Sequence, residues 1–133
     1  MTTDGLITLE SRFSVSQTID RLAEVVVAAG LLVFARIDHA KGADEAGLRL
    51  RPTELLIFGH AKGGTPLMQD RQTAGIDLPL KALAWEDKAD RVWLSYNDTS
   101  WLALRHGLGA ASTQALDALR AGTARLASTA AGV

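Results

Sequence analysis

The 133-residue chain (14.1 kDa) carries 14 Lys and Arg against 15 Asp and Glu, a formal net charge of -1, and 47% of its residues are hydrophobic. A folded protein of this mass exposes about 6,700 Å², roughly a third of its extended surface, so one domain over 1–133, with its core at about 5–127, can bury a sizeable interior. The balanced charge argues against a dedicated surface for phosphate backbones or anionic lipid, and the absence of cysteine excludes disulfides, thiol nucleophiles, Fe–S clusters and Cys-ligated zinc.

The N-terminal stretch MTTDGLITLESRF has neither the basic nor the apolar region of a leader peptide. The longest apolar run, about eleven residues over 25–35, is broken by Gly30 and falls short of the roughly 18–20 that span a bilayer. These features predict a soluble, cytoplasmic protein with neither nucleic acid nor membrane as a partner.

Residues 5–11 alternate, with Ile7 and Leu9 on one face and Leu6, Thr8 and Glu10 on the other, which predicts a first strand. Ser14 and Gln17 have the spacing of a capping box, and Val15, Ile19, Leu22, Val26 and Ala29 recur at helical period up to Gly30. The run LLVFARID over 31–38 is apolar on both faces and reads as an inner strand. Residues 39–52 read as a loop with one helical turn at 43–46, and TELLIFG over 53–59 as the next strand.

Thr65 followed by Pro66 is a helix-start signal, because Pro at the first helical position lacks only an N–H that would be unpaired anyway. The helix is expected over 66–74, with Gly75 as its stop. Residues 80–97 form a hairpin about a turn at 87–90. Pairing Glu86 with Arg91 puts Leu83, Trp85, Val92, Leu94 and Tyr96 on one face and Ala82, Ala84, Trp93 and Ser95 on the other. Asp98 caps a short helix that ends at Gly107, and an Ala-rich helix runs from Ala110 to about Leu126 with Leu116, Leu119 and Leu126 inward.

The order β-α-β-β-α-β-β-α-α, without a repeated βαβ unit, predicts an α+β fold: one mixed or antiparallel sheet with helices on one face. Leu32, Phe34, Leu56, Phe58 and Trp93 are then left for the other face, more apolar surface than a monomer keeps in water. A homodimer with Trp93 in its interface follows as the expectation.

The blocks PTELLIFGHAKGGTPLM, IDLPLKALAWED and VWLSYNDTSWLALRHGLG, in this order and spacing, resemble the DUF302 family, a domain of unknown function, over roughly residues 7–109. The resemblance implies a compact α+β fold that is often dimeric. With no activity established for the family, it transfers a fold and candidate positions rather than a reaction. His60 departs from the family pattern, in which Asn usually follows the glycine, so a role for His60 would not be a family role.

Four groups of residues invite a chemical reading. The segment from Gly59 to Thr65 looks like a phosphate-binding loop, but no Lys follows its last glycine and Pro66 removes a donor. What remains is a set of exposed N–H groups at Gly63, Gly64 and Thr65, with Lys62 adding charge, suited to a small anionic ligand. His39, His60 and His106, with Asp38 or Asp98, lack paired-ligand spacing, since the imidazoles lie 21 and 46 residues apart. No metal and no cofactor is expected. Tyr96, Asn97, Asp98, Arg105 and His106 form the most polar cluster in an apolar frame, where an acid and an imidazole can do acid–base work. Glu86, Asp87 and Asp90 read as turn carboxylates.

Three functions from different classes follow. The first is a homodimeric binding or regulatory module for a small ligand or protein partner, with candidate contacts at Lys62, Gly63, Gly64, Thr65, Tyr96, Asn97, His106 and His39. The second is a small enzyme using a His/Asp pair near Tyr96 and His106. The third is an assembly domain. The missing nucleophile and metal motifs favour the first.

Overall fold

The first helix and the sheet beneath it explain most of the architecture. In the computed structural model, which describes residues 4–133, five strands form one antiparallel sheet in the order β1-β5-β4-β3-β2. The strands are β1 (Leu6–Ser11), β2 (Leu32–Asp38), β3 (Thr53–Gly59), β4 (Leu80–Glu86) and β5 (Val92–Asn97). The helices are α1 (Val15–Ala28), α2 (His39–Glu45), α3 (Ala61–Asp70), α4 (Thr99–His106) and α5 (Thr113–Ala131), with 3-10 turns at Gln72–Asp77 and Ala110–Ser112. This is the α+β fold read from the sequence. The first three residues of the segment searched for a leader lie outside the described residues.

Helix α1 starts as its sequence specifies. Ser14 Oγ accepts from the Gln17 N–H and Gln17 Oε1 accepts from the Ser14 N–H, both at 3.1 Å. Its apolar stripe, Val15, Ile19, Leu22 and Val26, is buried against Leu56 and Phe58 of β3, Ala82 and Ala84 of β4, Leu94 and Tyr96 of β5, and Ala127 and Ala130 of α5. A second, smaller cluster gathers Leu67 of α3, Ala74 of the first 3-10 turn and Leu116 of α5. The Arg12 N–H donates to the Ala131 carbonyl at 3.0 Å, and the Arg21 guanidinium to the carbonyls of Ala130 and Thr129, so the end of α5 is tied to the turn after β1 and to α1.

Four sequence expectations need correction. The hairpin pairs Glu86 with Val92 and Trp85 with Trp93, one residue out of the expected register. The turn takes five residues: Asp87 N–H donates to the Arg91 carbonyl, Asp90 sits at φ 63, and the Asp87 carboxylate accepts from the N–H groups of Ala89 and Arg91 and from the Trp93 indole. One slipped residue exchanges the faces of β4. Ala82 and Ala84 lie under the helix, and Leu83 and Trp85 join Trp93 on the open face.

Leu56 and Phe58 are likewise in the core, and it is Leu55 and Ile57 that face the other way. Strand β2 is an edge strand, not an inner one. Its side chains are mostly exposed, and its ladder is interrupted at Phe34. Apolar alternation on both faces did not distinguish an inner strand from an edge strand whose side chains stay in solvent. Finally, residues 39–45 are helical, because Asp38 Oδ1 accepts from the Lys41 N–H at 2.9 Å.

On the open face the polar groups of the central strands satisfy one another. Trp85 Nε1 donates to Ser95 Oγ at 2.9 Å, Ser95 Oγ and Thr8 Oγ1 lie 2.8 Å apart, and the rings of Trp85 and Trp93 stack with centroids 6.3 Å apart. On the helix face Arg36 holds β2, β3 and α1 together. Its Nε donates to Glu54 at 2.8 Å and its other nitrogens reach Asp20 and the Ser16 carbonyl.

Glu54 is nine-tenths buried, and Arg36 is its side-chain hydrogen-bond partner. Arg36→Met should cost about 1–3 kcal/mol, the penalty of leaving a buried acceptor unpaired, and Glu54→Gln in that background should recover part of it. Urea denaturation of the two variants measures both. Acid stability follows from two other carboxylates. Asp87 is held below the ordinary carboxylate range by the Trp93 indole N–H and then the Arg91 N–H, and Asp70 by the Ser112 hydroxyl and then the Gly109 N–H. A depressed folded value adds stability above the unfolded value, about 3.9, that is lost as pH falls through the folded one. The urea midpoint should therefore decline below about pH 4, and less steeply in Asp70→Asn and Asp87→Asn.

Candidate functional site

A cavity of about 500 Å³ opens where the two hydrophobic clusters meet. Leu31 and Leu80, which pack on the main core, form one side, and Met68, Leu78 and Leu119, which belong to the smaller cluster, form the other. Phe34, half exposed, stands at the rim. The Leu78–Pro79 bond in its wall is cis.

Glycines line much of the rest. A Cβ on Gly64 would come within 3.3 Å of Leu78 Cδ1, and one on Gly75 within 3.1 Å of Met68 Sδ, so these positions let α3 and the 3-10 turn close around the space. Gly59, at φ 151, makes the turn from β3 into the helix in a conformation that L side chains rarely adopt.

The helix beside the cavity begins earlier than its sequence suggests. Ala61, not Pro66, is its first residue, and His60 is the cap: the Lys62 N–H donates to His60 Nδ1 at 3.1 Å. Pro66 therefore lies inside the helix and leaves the Lys62 carbonyl without the usual helical donor. The N–H groups of Gly63 and Gly64 donate to the His60 carbonyl at 3.0 and 3.2 Å. The expected cradle of free N–H groups over Gly63, Gly64 and Thr65 is thus not formed. Lys62, Gly63 and Gly64 instead line the cavity as wall residues, and Thr65 is exposed. The helix also stops at Asp70, before the 3-10 turn that contains Gly75.

The other candidates are dispersed. His39 is the exposed first residue of α2. Tyr96 and Asn97 border a smaller hollow of about 310 Å³ on the open face of the sheet, with Lys81, Leu83 and Trp85. Burial pushes the Tyr96 phenol up, and the charge of Asp98 adds to this. Asp98 is committed to capping α4 through the Ser100 N–H at 3.0 Å. Among the described residues no three His, Asp or Glu side chains gather as metal ligands.

His106 is paired, but not with Asp98. Its Nε2 lies 2.5 Å from Asp77 Oδ2 and its Nδ1 3.1 Å from Thr73 Oγ1, and Arg105 reaches the same Asp77 carboxylate. The ring is 6% exposed and lines neither cavity. The group acts as a clasp that fastens the end of α4 to the 3-10 turn leading into Leu78. The residues that sequence reasoning missed, Leu31, Phe34, Leu78, Leu80 and Leu119, are apolar and scattered along the chain. Their only local signal is the density of glycine between 59 and 75.

Comparison with known proteins bears on the family and the fold. A channel protein of Brucella suis biovar 1, named fluoride-specific ion channel FluC 1, is 54% identical over 128 residues, which are 96% of this chain and 50% of that protein. The protein of the same name from Brucella abortus biovar 1 is also 54% identical over 128 residues, 47% of its length. The chain thus spans about half the length of the curated relatives it matches, and among the described residues no helix is long and apolar enough to cross a membrane. A crystal structure of an uncharacterized conserved DUF302 protein from Bacillus stearothermophilus superposes with a TM-score of 0.76 over 98% of both chains at 16% identity, which shows a shared fold. The model of domain of unknown function DUF302 matches residues 7–126, and the chain belongs to that family.

Proposed function

We propose that the protein is a binding module that takes a small ligand in the cavity between its two hydrophobic clusters. The observation that carries this reading is the cavity itself. Its volume of about 500 Å³ falls within the roughly 300–1,000 Å³ of small-molecule sites, and it lies at a seam in the fold, as such sites commonly do. His106 and Asp77 support it at a distance, since they fix the turn that carries Leu78 and Pro79.

Self-association through the open sheet face completes the reading. The helices pack on the other face of the sheet, so the side chains of this one are left partly exposed, and a contiguous apolar face of this kind marks a protein–protein contact. Trp93, Trp85, Leu83, Leu55 and Ile57 supply the apolar centre of that face.

Two measurements test the two parts. In a thermal-shift screen over small carboxylates, alcohols and amines, a ligand at 100 times its Kd should add about 2.7 kcal/mol, and Ala61→Trp, at the exposed start of α3 in the cavity wall, should abolish the response. A response that survives Ala61→Trp would move the site elsewhere. Light scattering of the wild type should give twice the chain mass, and both Trp93→Glu and Leu83→Glu should give monomers. Dimers in both variants would remove the interface from this face.

A further inference from the structure

We infer that the ligand of this cavity is an amphipathic monoanion, a carboxylate carried on an apolar body, which rests on the reading of the cavity as a binding site. The lining is apolar except at one place, the His60–Lys62 segment where β3 passes into α3, and it contains no acidic side chain. Lys62 is exposed and makes no ion pair among the described residues.

His60 adds a second donor by necessity. Its Nδ1 receives the Lys62 N–H at 3.1 Å, which requires a lone pair on that nitrogen, so the neutral ring carries its proton on Nε2. Among the described residues Nε2 has no hydrogen-bond partner. The polar end of the cavity therefore offers two side-chain donors, one of them cationic, and no side-chain acceptor to match them. A ligand with a cationic or donor-only head would meet repulsion there, and a neutral alcohol, whose oxygen can accept from both donors, would leave the Lys62 charge unmatched. A carboxylate has the charge and the two oxygens to take both, while Leu31, Leu78, Leu80 and Leu119 cover its apolar part.

Size selects against the head group alone. Acetate or inorganic phosphate would leave the apolar walls uncovered and so forgo most of the available burial. The geometry thus points to acids with a body of several carbons, flexible or flat.

Calorimetric titration of the full chain with octanoate, naphthoate, octanol, octylamine and acetate tests this. At least one of the two larger acids should bind about 10- to 100-fold tighter than octanol, the difference expected of charge-assisted hydrogen bonds, and acetate and octylamine should bind weakly or not at all. Lys62→Met, at an exposed position, should bring the acid's affinity down towards that of octanol, so that most of the 10- to 100-fold preference is lost, and His60→Asn, which keeps a capping oxygen, should weaken the acid more than octanol. If octanol or octylamine equals or exceeds both acids, or if Lys62→Met leaves the acid's affinity unchanged, the monoanion is overturned while the cavity remains a binding site. If none of the probes binds, the inference and the binding reading fall together.

Discussion

The fold depends on how closely α1 can approach the middle of the sheet. Ala82 and Ala84 present only methyl groups at the centre of β4, so the helix settles with Ile19, Leu22 and Val26 against the strands and all of these residues are fully buried or nearly so. Large side chains at those two positions would lift the helix and open voids around Leu56 and Leu94, and close-packed interiors do not tolerate such gaps cheaply. The same constraint forces the bulky members of the strand, Leu83 and Trp85, to the opposite face. The character of that face is therefore a by-product of packing on the first one.

What the sequence made legible follows from the range of the signals. The capping box at Ser14, the stop at Gly107 and the five strands are set by residues within a few positions of one another, and they are found where expected. The hairpin register failed because the five-residue turn is closed by the Asp87 carboxylate, which reaches forward to the Trp93 indole, a side-chain choice that alternation does not encode. The start of α3 failed because Pro66 satisfies the rule for a first helical position, while the true cap, His60, is an uncommon one. Strand order was beyond reach, since β2 and β3 carry similar apolar runs and only long-range pairing puts one at the edge.

The candidate site was legible in part for a related reason. The sequence points to Gly63, Gly64 and Thr65 for free backbone donors and to Lys62 for charge; Lys62, Gly63 and Gly64 do border the cavity, yet the Gly63 and Gly64 donors are spent within the helix. The chemistry moved to side chains, and the volume that makes it useful is enclosed by residues up to about ninety positions apart, from Gly30 to Leu119. His106 shows the converse. In sequence it reads as an acid–base candidate, and its partners Asp77 and Thr73 lie about thirty residues upstream, so only the folded chain reveals that both ring nitrogens are already engaged.

The bond from Arg12 to Ala131 brings the end of α5 beside the turn from β1 into α1, with Phe13 packed against Gly132. The first strand is therefore clasped at both of its ends, by the Asp98 N–H on the Gly5 carbonyl and by the Arg12 N–H on the Ala131 carbonyl. Elements that share such ties loosen together rather than one at a time. The earliest and latest parts of the chain thus form one cooperative unit, and fraying of the last turn of α5 would be felt first at the opposite end of the sequence.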